Sequence, residues 1–190
     1  MVKPYQKIEE QLKQRMPDWW ESIIRFIPEL EDLAQTLQAP HYHGEGDVAA
    51  HTQMAVEACP PDGDPDLVWA ALLHDVGKAA VTKLDGDRIT AHGHDIVGAE
   101  TAEKILRRLQ MPVERQTRIV WAIRHHTFHL SWNLNAPWQA SRQQKKLVAD
   151  DRFPLLLELL RVDSEASLGN LRKMKAYALY KQLREIVAGG

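Results

Sequence analysis

Apolar positions along this chain recur mostly at intervals of three and four residues, the spacing of one face of a helix. Residues 5–38 read as one or two helices broken near Met16-Pro17-Asp18. Asp18 is placed to cap a helix carrying Trp19, Trp20, Ile23, Ile24 and Ile27 on one side. Pro28 is expected to kink or split that helix. Proline and glycine mark residues 39–47 as a loop, after which Asp47 is the predicted N-cap of a helix to about Ala58.

The pattern then changes. After a Pro/Gly/Asp loop over 59–65, Asp64-Pro65-Asp66 opens a helix with a capping aspartate, a proline at the first turn and an acid near the positive helix end. Leu67 to Leu73 follow with no polar face, which predicts a buried helix. Gly77 is its predicted C-terminal stop. Val81-Thr82-Lys83 and Arg88-Ile89-Thr90 flank Asp85-Gly86-Asp87 and predict a short hairpin. Helical spacing returns over about 95–110, 113–126, 141–150, 153–168 and 170–187. The expectation is one all-α domain with a single short β-hairpin near residues 81–90. Residues 1–40 would form a helical extension, 41–168 the core and 169–190 a C-terminal helix.

Composition narrows the function. The chain has 190 residues, 44% hydrophobic and 26% charged, with a formal net charge of −2. That balance gives no argument for nucleic acid or an anionic membrane, and neither is expected as a partner. One cysteine, Cys59, excludes a disulfide framework or a cysteine zinc finger, and nothing beside it marks it as reactive. No apolar leader and no run of membrane-spanning length is present, so a cytoplasmic location is expected. The nine histidines all fall between His41 and His129.

Three candidate metal ligands sit on predicted core-facing stripes. His51 lies three residues after Val48 and four before Ala55. His74 lies seven, four and three residues after Leu67, Ala70 and Ala71. Asp163 lies at the same spacings after Leu156, Leu159 and Leu160. Each has an ordinary alternative: a hydrogen-bonded core histidine, a histidine at a helix C-terminus, an aspartate paired with Arg161. A buried carboxylate nevertheless costs several kcal/mol, by order of magnitude, unless it is paired or metal-bound. Imidazole and carboxylate together, with Asp75 beside His74, suit Mn, Fe, Co, Ni or Zn, with Mg a further candidate, and do not choose among them.

His51, His74-Asp75 and Asp163 together resemble the H…HD…D signature of the HD-domain superfamily of metal-dependent phosphohydrolases. The wording around them is close over Gly46–Thr52, Ala70–Lys78 and Gly93–Glu100. It is similar to the HD region attached to bacterial tRNA nucleotidyltransferases and to stand-alone HD hydrolases. No nucleotidyl-transfer motif accompanies it, so CCA addition is not implied. The resemblance implies a fuller ligand set of His51, His74, Asp75, His94, His125 and Asp163, with His126 as the alternative to His125. It implies that Asp75 bridges two divalent ions or, if His94 and His125 point elsewhere, that His51, His74, Asp75 and Asp163 hold one, and that a metal-activated hydroxide attacks the phosphorus of a nucleotide or other small phosphoester. Lys78, three residues past Asp75, would contact a substrate phosphate.

Other features are weaker. Lys83, Arg88 and Arg124 are further phosphate-contact candidates, each more readily a surface residue. His92 and His129 are expected in loops. His43 and Glu45 are candidates to orient His51 or a water, with a plain loop favoured. Phe128, Trp132 and Trp138 could wall a base pocket, with core packing favoured. The basic tail, with Arg172, Lys173, Lys175, Lys181 and Arg184, is expected to be a solvated face. Two other functions fit the same ligand set: a di-iron oxygenase, and a nucleotide-sensing module without catalysis.

Overall fold

The computed structural model describes residues 2–38, 46–130, 139–168 and 170–189. His43, Glu45, Trp132 and Trp138 lie outside them. The chain is all-α, with one two-stranded hairpin among the described residues. Near the N-terminus, α1 (Pro4–Gln14) and α2 (Trp19–Ile24) are followed by a 3₁₀ helix at Pro28–Gln35, so the segment breaks at Pro17 and again at Pro28. Ile8, Leu12, Ile23, Ile27, Leu30 and Leu33 are all fully or nearly fully buried, in the same core as Trp69 and Ile105.

α3 (Val48–Glu57) starts where Asp47 accepts a hydrogen bond from the Ala50 amide at 2.8 Å. α4 (Pro65–Leu73) starts in the same way, with the Asp64 carboxylate accepting from the Asp66 amide at 2.9 Å. α4 is the central helix: Trp69 through Leu73 are all 0% exposed. Asp66 does more than meet the helix dipole. It is buried, and its two oxygens take Arg115 Nε and Arg118 Nη1 at 2.7 Å each, tying α4 to α7 (Val113–His125). Arg115 also reaches Glu9 of α1 at 2.6 Å.

Gly77 does not end α4 through a left-handed turn. Its φ is −71°, and α5 (Lys78–Val81) begins at the next residue. The glycine is needed for close approach instead: a Cβ there would run into the backbone of His94 and Gly98. This contact seats the turn after α4 against the start of α6 (His94–Arg108), beside the Asp75 carboxylate. Between them, β1 (Lys83–Asp85) pairs antiparallel with β2 (Arg88–Thr90), Leu84 opposite Ile89, through a turn with Gly86 at φ 56°.

α8 (Arg142–Val148) opens with a capping box between Ser141 and Gln144. α9 (Phe153–Ala166) has two apolar faces. Leu155, Leu159 and Val162 enter the main core, while Phe153, Leu156 and Leu160 meet Ala176, Tyr180 and Leu183 of α10 (Leu171–Ala188) in a second cluster. Phe128 belongs to that cluster and so packs as core. Asp163 projects from a helix that is apolar on both sides, and only 4% of it is exposed.

Candidate metal centre

Five pieces of backbone aim their polar groups at one point. His51 comes from α3 and His74-Asp75 from the end of α4. His94 comes from the first residue of α6, His126 from a 3₁₀ turn (His126–His129) that continues α7, and Asp163 from α9. These residues form two donor groups, His51/His74/Asp163 and Asp75/His94/His126, each with its ligand atoms within 4.8 Å of one another.

The first group is fully inside. His51 Nε2 stands 2.9 Å from Asp163 Oδ1 and 3.3 Å from His74 Nε2. The second lies at the cavity side, with His94 Nε2 3.0 Å from His126 Nε2. Asp75 lies between them. Its Oδ2 is 3.2 Å from His74 Nε2 and 3.8 Å from His51 Nε2. Its Oδ1 is 3.5 Å from His94 Nε2 and 3.7 Å from His126 Nε2.

The donor chemistry fits divalent cations. The Nδ1 atoms of His74, His94 and His126 lie 2.7–2.9 Å from the carbonyl oxygens of Ala71, Ala91 and Ile123. A carbonyl only accepts, so each ring carries its proton on Nδ1 and, when neutral, offers a bare lone pair at Nε2. In the second group two such lone pairs face each other and a carboxylate oxygen. That oxygen, Asp75 Oδ1, is buried without a hydrogen bond of ordinary length. Three acceptors with no donor between them form an arrangement that a cation satisfies.

Protonation states agree. Burial pushes His94 down to about 4, with the Asp75 charge opposing it and the Lys78 ammonium adding to it. Burial alone would raise Asp75, but His74 and the Lys78 ammonium beside it hold it well below the usual carboxylate range. Asp163 is likewise held down against its burial by Lys173 and His51.

His125 does not join the group. Its Nδ1 donates to the Trp121 carbonyl at 2.8 Å, and its ring stacks on Trp121 with centroids 4.5 Å apart. His126, the alternative, faces the centre. The cause is helical spacing: His126 lies seven, four and three residues after Ile119, Ala122 and Ile123, the buried face of α7, whereas His125 lies beside that face.

Two further groups escaped the sequence reading. His129 is 2% exposed and lies one 3₁₀ turn beyond His126, on the same face. Burial pushes it down to about 4, against the pull of Asp163. Lys173, expected on a solvated face, is buried with its Nζ 2.6 Å from Asp163 Oδ1. Both correct the loop and surface expectations. The signal that could have found Lys173 is its spacing, three, seven and ten residues before Ala176, Tyr180 and Leu183 on the buried face of α10.

The centre opens into a cavity of about 880 Å³, walled on one side by the hairpin and on another by the start of α10. Lys78 lies at its floor, held 2.6 Å from Asp75 Oδ2 and 2.7 Å from the Gln38 amide oxygen. Arg88, Arg172 and Lys173 also line it, whereas Lys83 and Arg124 do not.

This chain belongs to the HD domain family, whose model matches residues 42–162 and ends one residue before Asp163. It is 34% identical over 148 residues to the A-adding tRNA nucleotidyltransferase of Deinococcus radiodurans, covering 75% of this chain and 32% of that protein. It is 31% identical over 153 residues to the multifunctional CCA protein of Ralstonia nicotianae, covering 78% and 35% respectively. The chain thus spans about a third of the length of these curated relatives. Among the described residues no helix is long and apolar enough to cross a membrane.

Proposed function

We propose that the chain is a divalent-metal-dependent phosphohydrolase acting on a nucleotide or another small phosphoester. The observation that carries this reading is the convergence of two donor groups on the two oxygens of Asp75, at the floor of a cavity lined by cations. His51, His74, Asp163 and Asp75 Oδ2 would hold one ion; Asp75 Oδ1, His94 and His126 would hold the other. Such ions supply a water of lowered pKa and positive charge for the attacked phosphoryl oxygen.

The protein's own groups do the rest. The carbonyls of Ala71, Ala91 and Ile123 fix the imidazole tautomers, so the ligand nitrogens need no reorganisation. Lys78 pins the Asp75 carboxylate and offers an ammonium at the cavity floor, where a phosphate oxygen would sit. Arg88 and Arg172 extend the positive lining outward. Membership of the HD domain family and the ligand chemistry both support the assignment. The relatives are named for tRNA, which brings the phosphoesters of a tRNA end into consideration, a substrate the chain's charge balance gave no reason to expect.

The test is metal analysis of the purified protein with a panel of nucleotide monoesters, cyclic diesters, triphosphates and a tRNA with a terminal phosphate. His74→Ala and Asp75→Ala are run beside it. Metal-dependent phosphate release, lost in both variants, is expected. Full metal content and activity in both variants would sink the proposal. Oxygen consumption with bound iron would point to an oxygenase, and tight nucleotide binding without turnover under any metal to a sensing module.

A further inference from the structure

Lys173 Nζ lies 2.6 Å from Asp163 Oδ1 and 2.7 Å from Ser167 Oγ, and the residue is 8% exposed. Its seat is built by the surrounding chain. Ser167 Oγ donates to the Asp163 carbonyl at 2.8 Å, and Asn170 caps α10 by accepting from the Lys173 amide at 3.2 Å. The oxygen it occupies is the one that stands 2.9 Å from His51 Nε2 and 3.9 Å from His74 Nε2. The ammonium and the inner donor group therefore compete for a single atom. A buried ammonium needs a partner, and so does the buried carboxylate, which explains the pairing. A divalent cation at His51, His74 and Asp163 would sit against that +1 charge at short range, where repulsion is strong. Lys173 also lines the cavity into which the centre opens. Lys78 is held in a comparable way, between Asp75 Oδ2 and Gln38, but from within the turn that carries Asp75 itself.

We propose that Lys173 is a positioning residue that hands its charge over. It neutralises Asp163 while that carboxylate has no cation. It leaves Oδ1 when a divalent cation takes the oxygen, and it then presents its ammonium to an anionic oxygen of the ligand in the adjoining cavity. This rests on the donor-group reading above. Cation and anion are thereby coupled: the anion gives the displaced ammonium a partner, so each tightens the other, and the coupling is reciprocal.

The probes are Mn2+ alone and inorganic phosphate, titrated calorimetrically into the whole chain, separately and together. In the wild type, saturating phosphate should tighten Mn2+ binding by about tenfold, within the usual span of coupling between two sites. In Lys173→Met, Mn2+ alone should bind about tenfold tighter than in the wild type, because the competing ammonium is gone, and the tightening by phosphate should shrink to about threefold or less. Wild-type or weaker Mn2+ affinity in Lys173→Met overturns the proposal, as does undiminished phosphate coupling. Ser167→Ala keeps the charge but removes its second acceptor, and serves if Lys173→Met does not fold. It should shift Mn2+ affinity in the same direction, and an unchanged value overturns the proposal. A wild-type protein that binds no Mn2+ or other divalent ion sinks the donor-group reading itself; normal wild-type binding with an indifferent Lys173→Met sinks only the role of Lys173.

Discussion

His125 and His126 are neighbours in the chain with opposite surroundings, one stacked on Trp121 and the other facing Asp75. His126→Ala is expected to lose one bound ion per chain, counted by metal analysis, while His125→Ala keeps the full content. The reverse result would move the ligand back to His125. Acid stability is decided at the same scale. Burial pushes His94 and His129 down to about 4, against about 6.5 for free histidine. Below about 6.5 the unfolded chain takes up protons that the folded chain refuses. Stability is therefore full above that pH and falls as pH drops toward 4, by about 1.4 kcal/mol per pH unit for each histidine. Urea midpoints measured in chelator from pH 7.5 to 4.5 should show this slope. A flat profile down to pH 5 would mean that these rings are not kept neutral by burial. His51, His74 and Asp163 were legible in the sequence because their stripes were unambiguous. His126 was legible in the same way, seven, four and three residues after Ile119, Ala122 and Ile123, but the ligand set implied by the resemblance put His125 first.

The elements bring the ligands together through backbone contact, and Gly77 is the clearest case. Its absent side chain lets the turn after α4 lie against His94 and Gly98. Gly77→Ala should destabilise the fold by about 2–3 kcal/mol through overpacking, and should weaken ion binding by shifting His94 away from Asp75. Chemical denaturation and a metal titration of one preparation check both effects. An alanine variant with wild-type values would remove the close-approach argument. From sequence the same glycine read as a helix stop. The residue type was informative but its reason was not, since close approach involves a segment 17–21 residues further on. Helix α9 shows the other side of this: the oddity of Asp163 after Leu156, Leu159 and Leu160 was visible in the sequence, while the division of those leucines between two clusters was not.

At the scale of the molecule, ions held by His51, His74, Asp75, His94, His126 and Asp163 would tie five elements to one another. Folding and binding should then be linked. An ion at about a hundred times its dissociation constant adds about 2.7 kcal/mol. For a chain of this size that raises the melting temperature by about 5–10 °C. Thermal unfolding with and without chelator measures the shift, and Asp75→Ala should abolish it because both groups lose their shared ligand. An equal shift in that variant would place the stabilising ion elsewhere. The two apolar clusters meet along α9, so a disturbance in the α10 cluster has a short path to Asp163 and Lys173.

The sequence by itself determined the helical class, the buried central helix and the identity of most inward-facing histidines and carboxylates. Hydrophobic periodicity is a local property, and a polar residue on an apolar stripe is conspicuous wherever the stripe is read correctly. Tertiary structure decided the rest: the burial of His129, the pairing of Lys173 with Asp163 and the reason for Gly77. Each of these depends on a distant segment arriving and on how closely it then packs. No pattern confined to neighbouring residues encodes either.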